Sequence, residues 1–190
     1  MARPLMFLVA GVNGAGKSTY TKTLLRKYPE TAVIDPDKIA KSMTGSFTNI
    51  ESKAVEAGKL ALKQVKLCIK ANQSFIVEST ISGRTYLRYL SLAKKAGFKT
   101  ILVYVCIPSS SVSAQRVKQR VKQGGHHIPI EDIERRFPKS LENLSEHIKL
   151  CDLSYISNNT EHYALIASYR KGKLHQRNNI PDFIAPYLPL

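Results

Sequence analysis

The chain of 190 residues contains no tryptophan, and its three cysteines, Cys68, Cys106 and Cys151, are far apart with no C-x-x-C pair. That argues against a disulfide-stapled scaffold and a cysteine-rich zinc module, and leaves buried, reduced thiols as the expectation. Acidic residues are scarce: 14 Asp and Glu stand against 29 Lys and Arg, a net charge of +15. There are no repeats, no low-complexity tract and no linker of shifted composition, so a single domain over residues 1–190 is expected. No apolar run is long enough to span a bilayer. The opening MARPLMFLVAGV has a basic residue and an apolar stretch, as a signal peptide does, but no cleavage region. Its apolar stretch runs straight into a glycine-rich turn, so a cytoplasmic protein without membrane association is the expectation.

What the chain does contain is concentrated between Leu5 and Leu25, LMFLVAGVNGAGKSTYTKTLL. Leu5 to Ala10 has the length and composition of a buried strand, and a helical pattern carrying Leu24 and Leu25 follows. The turn between them fits G-x-x-x-x-G-K-S through Gly11, Gly16, Lys17 and Ser18. Glycines let the backbone curl with its N–H groups turned inward around a phosphate, and the helix adds its positive end. Gly11, Val12, Asn13, Gly14, Ala15, Gly16, Lys17, Ser18 and Thr19 are therefore the expected nucleotide-binding residues. Lys17 would reach the β- and γ-phosphates and the Ser18 hydroxyl would meet Mg²⁺, which makes ATP and Mg²⁺ the implied ligands.

Downstream, strand and helix signals alternate. Thr19 to Tyr28 continues a helix that Pro29 stops, and Thr31 to Ile34 is β-prone. Asp35 caps a helix with Pro36 at its first position. A loop over Gly45 to Asn49 precedes a long helical pattern from Ile50 to Ala71. Ser74 to Val77 reads as a strand and Arg84 to Ala96 as a helix closed by Gly97. Thr100 to Ile107, apolar almost throughout, reads as a strand buried on both faces of a parallel sheet. A helix from the serines at 109–111 to Gln123 breaks at Gly124-Gly125. A short helix over Ile130 to Phe137 precedes another over Pro138 to Leu150. Leu153 to Ile156 and Tyr163 to Tyr169 are the last strands, with Arg170 to Lys173 as a turn. The tail, 178–190, carries Ile180, Phe183, Ile184, Tyr187 and Leu188 to pack back on the body. The alternation predicts an α/β fold of the P-loop kinase type, a mostly parallel central sheet flanked by helices.

In an open α/β sheet the site lies beyond the carboxyl ends of the strands. Asp35 and Asp37 leave the second strand; Glu78, Ser79 and Thr80 leave the third. Phosphoryl transfer needs a group to deprotonate the acceptor, an acid near Mg²⁺ and cations for the transition state. Asp35 is occupied as a helix cap, so Asp37 is the candidate base, and Glu78 is a candidate Mg²⁺ ligand beside Ser18. The cations lie in Arg116 to Arg136, RVKQRVKQGGHHIPIEDIERR. A basic helix, a Gly-Gly break and a second helix there form a helical lid over 116–136, able to close over a triphosphate and exclude water. His126 and His127, adjacent and so splayed apart, read as loop residues.

The segments GVNGAGKST, VIDPDKIA, FIVESTISG and RVKQGGHHIPIEDIERRF followed by SLENL resemble the zeta-toxin family of P-loop kinases. More loosely, they are similar to chloramphenicol phosphotransferase. The resemblance implies ATP-dependent phosphorylation of a hydroxyl on a small molecule; in the zeta toxins this is a sugar hydroxyl of UDP-N-acetylglucosamine. It places Asp37 as the general base and Glu78, Ser79 and Thr80 near the acceptor. It puts the lid cations at Arg120 and at either Arg135 or Arg136. It also implies an antitoxin protein as a partner, although the chain shows no antitoxin-like segment. Zeta toxins are typically longer, with extra helical segments for the nucleotide sugar, and this chain has room for a compact version. The positive charge keeps an alternative of another class open: a polynucleotide kinase, or a nucleotide-dependent regulatory protein that binds nucleic acid.

Overall fold

In the computed structural model, which describes residues 3–45 and 50–189, one seven-stranded sheet carries the fold. Its order is β2-β3-β1-β4-β5-β6-β7, with β1 Leu5–Ala10, β2 Ala32–Ile34, β3 Phe75–Ser79, β4 Lys99–Cys106, β5 Leu153–Asn158, β6 Ala164–Arg170 and β7 Lys173–Arg177. The first five strands in that order are parallel and the last two antiparallel. The helices are α1 Lys17–Lys27, α2 Pro36–Thr44, α3 Ala54–Lys70, α4 Thr85–Lys95, α5 Ser110–Lys122, α6 Ile130–Glu142 and α7 Leu144–Leu150. The expected α/β fold of P-loop kinase type is the one found.

The continuous apolar strands serve two cores at once. On β1, Met6, Leu8 and Ala10 face one side while Phe7 and Val9 face the other. On β4, Leu102, Tyr104 and Cys106 join the first side, and Ile101, Val103 and Val105 the second. The first core takes α3, α4, α7 and the tail; Tyr20, Leu24 and Leu25 of α1 cover the second. Side-chain period 2 with both faces covered is what a parallel sheet requires. The tail packs back as expected, with Ile184 fully buried and Ile180, Phe183, Tyr187 and Leu188 against the same core. The three cysteines are free and buried, and burial pushes the Cys106 and Cys151 thiols up to about 12.

Four expectations need correction or bounding. Pro138 does not start a new helix: α6 runs through it to Glu142, and the boundary with α7 falls at Asn143. Burial on both sides of the proline explains this, since Ile133 and Leu141 are inside and Tyr104 Oη meets Ser140 Oγ at 3.0 Å. Ile50–Lys53 is a 3₁₀ turn, and the α-helix begins at Ala54. The turn at Arg170 to Lys173 is the tip of a hairpin whose second strand, β7, is exposed throughout and carries no apolar alternation to announce it. The loop expected over Gly45 to Asn49 lies, from Ser46 on, outside the described residues.

Strand β1 sits between β3 and β4, with the chain winding away from it in both directions. Its carboxyl end is thus the crevice where open α/β sheets bind ligands.

Candidate active site

The loop from Gly11 to Gly16 leaves β1 and enters α1. Gly11 has φ 142°, and a Cβ there would lie 2.3 Å from the carbonyl oxygen of Val105, so β4 presses directly on the loop entrance. At Gly16, φ 103°, a Cβ would lie 2.3 Å from Tyr163 Oη. Only glycine fits either place, and the result is a backbone concavity at a helix N-terminus, the form that cradles phosphate. Lys17 Nζ bridges the loop, donating to the carbonyls of Gly11 at 2.9 Å and Val12 at 3.0 Å. Burial lowers the Lys17 pKa, against the opposing pull of Glu78 and Asp37.

Ser18 Oγ donates to Glu78 Oε2 at 2.9 Å. Glu78, buried at the end of β3, is pushed up by burial and then by the charge of Asp35. Its Oε1 is buried with no hydrogen-bond partner among the described residues. A hydroxyl beside a carboxylate with an unused oxygen fits the hard-oxygen preference of Mg²⁺, so Ser18 and Glu78 are the residues suited to hold it.

At the end of β2 the two aspartates differ in their surroundings. Asp35 is buried, and its Oδ1 accepts the amides of Asp37 at 3.0 Å and Lys38 at 3.4 Å, capping α2. Burial and the Asp37 charge raise its pKa. Asp37, in the first turn of α2, is half exposed. Its Oδ2 lies 3.2 Å from Nδ1 of His126, a contact that sequence reasoning missed by reading both histidines as loop residues. Burial pushes the Asp37 carboxyl up, but His126, Lys17 and Arg120 outweigh it and hold the group below the usual range.

Lys17, Asp35, Asp37, Glu78, Ser79, Thr80 and Asn13 line one cleft of about 280 Å³, walled by Leu62 and Tyr86 and flanked by Arg136. Of the two adjacent arginines on α6, Arg136 lines this cleft and Arg135 does not, although both pair with Asp132. Arg120 donates to the carbonyl oxygen of His126 at 2.7 Å. Gly124 and Gly125 cap α5, their amides reaching the carbonyls of Val121 at 2.9 Å and Arg120 at 3.0 Å. This is the paired arrangement of a Schellman cap.

Sequence reasoning also missed what braces the loop. After β5, Asn159 Nδ2 donates to the carbonyl of Ala15 at 2.8 Å and Tyr163 Oη to that of Gly16 at 2.6 Å. Arg116 of α5 holds the Thr160 carbonyl at 2.7 Å, and buried Ser113 Oγ the Asn13 carbonyl at 2.6 Å. No local pattern marks these residues, because each partner is distant in sequence.

With this geometry in hand, comparison with known proteins gives three kinds of likeness. The family described as AAA domain matches residues 6–138, more than half of the chain. An uncharacterized protein of Haemophilus influenzae is 35% identical over 130 residues, 67% of this chain and 88% of that protein. Among solved structures, that of the PezAT chromosomal toxin–antitoxin system of Streptococcus pneumoniae superposes with a TM-score of 0.66 at 16% identity. That match covers 99% of this chain and 79% of the other. The complex of AvrRxo1-ORF1 and -ORF2 with ATP gives a TM-score of 0.70 at 20% identity, over 92% of this chain and 60% of the other. These structural likenesses are of fold.

Proposed function

The chain belongs to the AAA domain family, and from that premise we propose that it is an ATP-dependent phosphotransferase acting on a hydroxyl of a compact small molecule. One observation carries the reading: a phosphate cradle with its lysine, a hydroxyl–carboxylate pair, an ionised aspartate and a lid arginine converge on a single cleft. The glycine loop holds the triphosphate, and Lys17 exchanges its loop carbonyls for phosphate oxygens. Asp37 accepts the proton of the acceptor hydroxyl while that oxygen bonds to the γ-phosphorus and the bond to the bridging oxygen breaks, leaving ADP. Arg136 from α6, and Arg120 from α5, neutralise the charge that develops on the transferring group. Mg²⁺, when held by Ser18 and Glu78, supplies charge neutralisation at the phosphates.

The cleft, about 280 Å³, lies at the lower end of the roughly 300–1,000 Å³ typical of small-molecule sites. It suits a compact polar acceptor. A nucleotide sugar such as UDP-N-acetylglucosamine would also have to enter a second cavity of about 280 Å³, which shares Pro36, Asp37 and Arg136 with the first and adds Ala40 and Ile128. A protein partner of antitoxin kind is carried over from the PezAT likeness as part of the proposal.

The test is incubation with labelled ATP, Mg²⁺ and a metabolite extract. A labelled small molecule formed by the native chain and absent with Lys17→Ala supports the reading; no labelled product from either overturns it. A second reading, nucleic-acid binding, draws on Arg3, Lys99, Arg170, Lys171 and Lys173, which surround one cavity with Asp152 as its single acid. That cluster lies at the amino ends of the parallel strands, away from the cradle. Salt-dependent shift of labelled RNA, lost on Lys171→Glu/Lys173→Glu, would favour this second reading.

A further inference from the structure

We propose that His126 is a positioning residue for the transfer step, holding the Asp37 carboxylate in the orientation in which it takes the acceptor proton. This rests on the reading of Asp37 as the base. His126 Nδ1 lies 3.2 Å from Asp37 Oδ2, and the imidazole is only 12% exposed although its loop is at the surface. The neighbouring His127 is exposed and turns to the groove between α5 and α6. Nδ1 and Oδ2 are close but not aligned as a hydrogen bond in this structure. With the proton on Nδ1, a small turn of the ring donates it to the carboxylate and occupies Oδ2. Asp37 Oδ1 accepts no hydrogen bond among the described residues and is the oxygen left for an acceptor.

The imidazole is itself held. Arg120 Nη2 donates to the carbonyl oxygen of His126 at 2.7 Å, and the amide of Gly125 donates to the carbonyl of Arg120 at 3.0 Å. A Cβ on Gly125 would come within 2.5 Å of Arg120 Cγ, so glycine there lets the arginine stem lie against the turn. Helix α5 therefore fixes the loop, the loop fixes the imidazole, and the imidazole fixes the base. Because His126 rides on the lid hairpin and Asp37 on α2, the base is oriented only while this part of the lid is seated. Coupling of that kind keeps the base from serving water when the lid is away.

Every charged group around Asp37 bears on its titration. Lys17 faces it from α1, Asp35 from the end of β2, Arg120 from α5, and Arg136 with Asp132 from α6 across the shared cavity. Removing His126 takes away a donor to the ionised carboxylate, so the Asp37 pKa must rise.

The experiment uses the full chain with ATP and Mg²⁺ alone, water serving as the acceptor, and follows the Asp37 carboxyl carbon by NMR titration. His126→Ala should slow ATP hydrolysis by about 10- to 100-fold, the size of loss that misplacing a reacting group by an ångström produces. It should leave the affinity for a non-hydrolysable ATP analogue unchanged and move the Asp37 titration to higher pH. Asparagine can place an amide N–H near the position of Nδ1, so His126→Asn should restore both rate and titration. A wild-type rate in His126→Ala, an unmoved Asp37 titration, or His126→Asn as slow as His126→Ala would each overturn the proposal. Failure of the phosphotransfer reading looks different: Lys17→Ala or Asp37→Asn would then hydrolyse ATP at the wild-type rate while the Asp37 titration still answered to His126.

Discussion

Asp35 and Asp37 stand two residues apart in opposite electrostatic situations. Burial raises the pKa of Asp35, whereas His126, Lys17 and Arg120 together hold that of Asp37 down. Carboxylates pushed apart by their surroundings are a mark of divided roles. Asp37→Asn should keep the affinity for an ATP analogue and lose about 10²–10⁴-fold in transfer, the usual contribution of a general base. Asp35→Asn should be milder, since asparagine also caps a helix, and Asp35→Ala should cost about 0.5–2 kcal/mol in chemical denaturation. If Asp35→Asn were the more damaging to turnover, the two assignments would exchange. The capping role of Asp35 was legible because it needs only Pro36 and the amides that follow. The hold on Asp37 was not, because His126 approaches from a distant loop and one of two adjacent histidines had to be chosen. Lys17 gives a similar lesson. Its motif carries the expectation of a phosphate role, but does not tell that Nζ ties the carbonyls of Gly11 and Val12. Lys17→Ala should therefore abolish turnover and also lower the melting temperature, while the chain stays folded by circular dichroism.

Between elements, the stretch after β3 stores strain. Ile81 has φ 47°, a left-handed conformation that is a genuine outlier for a β-branched residue, and its side chain is buried. Strain of this kind amounts to about 1–3 kcal/mol and persists only where neighbours enforce it. Here Ser79 Oγ accepts the Ile81 amide at 3.0 Å, and Asn143 Nδ2 donates to its carbonyl at 2.9 Å. Asn143 sits at the joint of α6 and α7, so the helix pair that covers the sheet also sets the loop carrying Ser79 and Thr80. Asn143→Ala should cost about 1–3 kcal/mol, the penalty for leaving a buried acceptor unpaired, and should reduce transfer without weakening nucleotide binding. Wild-type stability in that variant would mean that Ile81 is held by packing alone. The same joint shows why α6 was cut short in the sequence reading. Proline in a helix interior costs about 3 kcal/mol locally, and only the tertiary burial of Ile133, Ser140 and Leu141 reveals that the helix continues. Asp152 links α7 to the sheet, accepting the Thr100 amide at 2.8 Å and its hydroxyl at 3.0 Å, with Lys94 at 3.5 Å. Burial raises its carboxyl, but these donors outweigh that and leave it below the ordinary 3.8. A depressed carboxyl stabilises the fold above the unfolded value and loses that contribution as pH falls through the folded one. Asp152→Asn should therefore be less stable than the native chain at pH 7, with the gap closing below about pH 4. A gap independent of pH would exclude Asp152 as a source of acid sensitivity.

At the scale of the molecule, the layering and the mostly parallel sheet followed from alternation of apolar runs with helical patterns, because buried parallel strands leave a continuous apolar signature. The all-exposed β7 left none. The order of the strands did not follow from that alternation. The helical hairpin of α5 and α6 is the part whose outline was legible and whose fastening was not. Its inner half is tied to the cradle: Ser113 Oγ meets the Asn13 carbonyl at 2.6 Å inside the protein, and Arg116 meets that of Thr160 at 2.7 Å. Its outer part packs Ile128 and Ile133 against Val117 of α5 and meets α2 through the His126–Asp37 contact, while the far end of α6 is anchored in the main core by Leu141 and Ser140. The Gly124-Gly125 turn is a capped joint at the end of α5, and the stretch from it to the start of α6 is the lightly held part. Segments with few contacts to the rest of the fold open locally at low free energy. Lys122, exposed one residue before the cap, gives trypsin a place to report such opening. A nucleotide that draws Arg120 and Arg136 onto its phosphates should press the outer half onto the body and leave the inner half as it is. Cleavage after Lys122 should slow several-fold on adding a non-hydrolysable ATP analogue with Mg²⁺, whereas cleavage in β7, after Lys173 or Arg177, should keep its rate. Equal slowing at both places would point to global stabilisation by the ligand, and no slowing at Lys122 would point to a hairpin that is already closed.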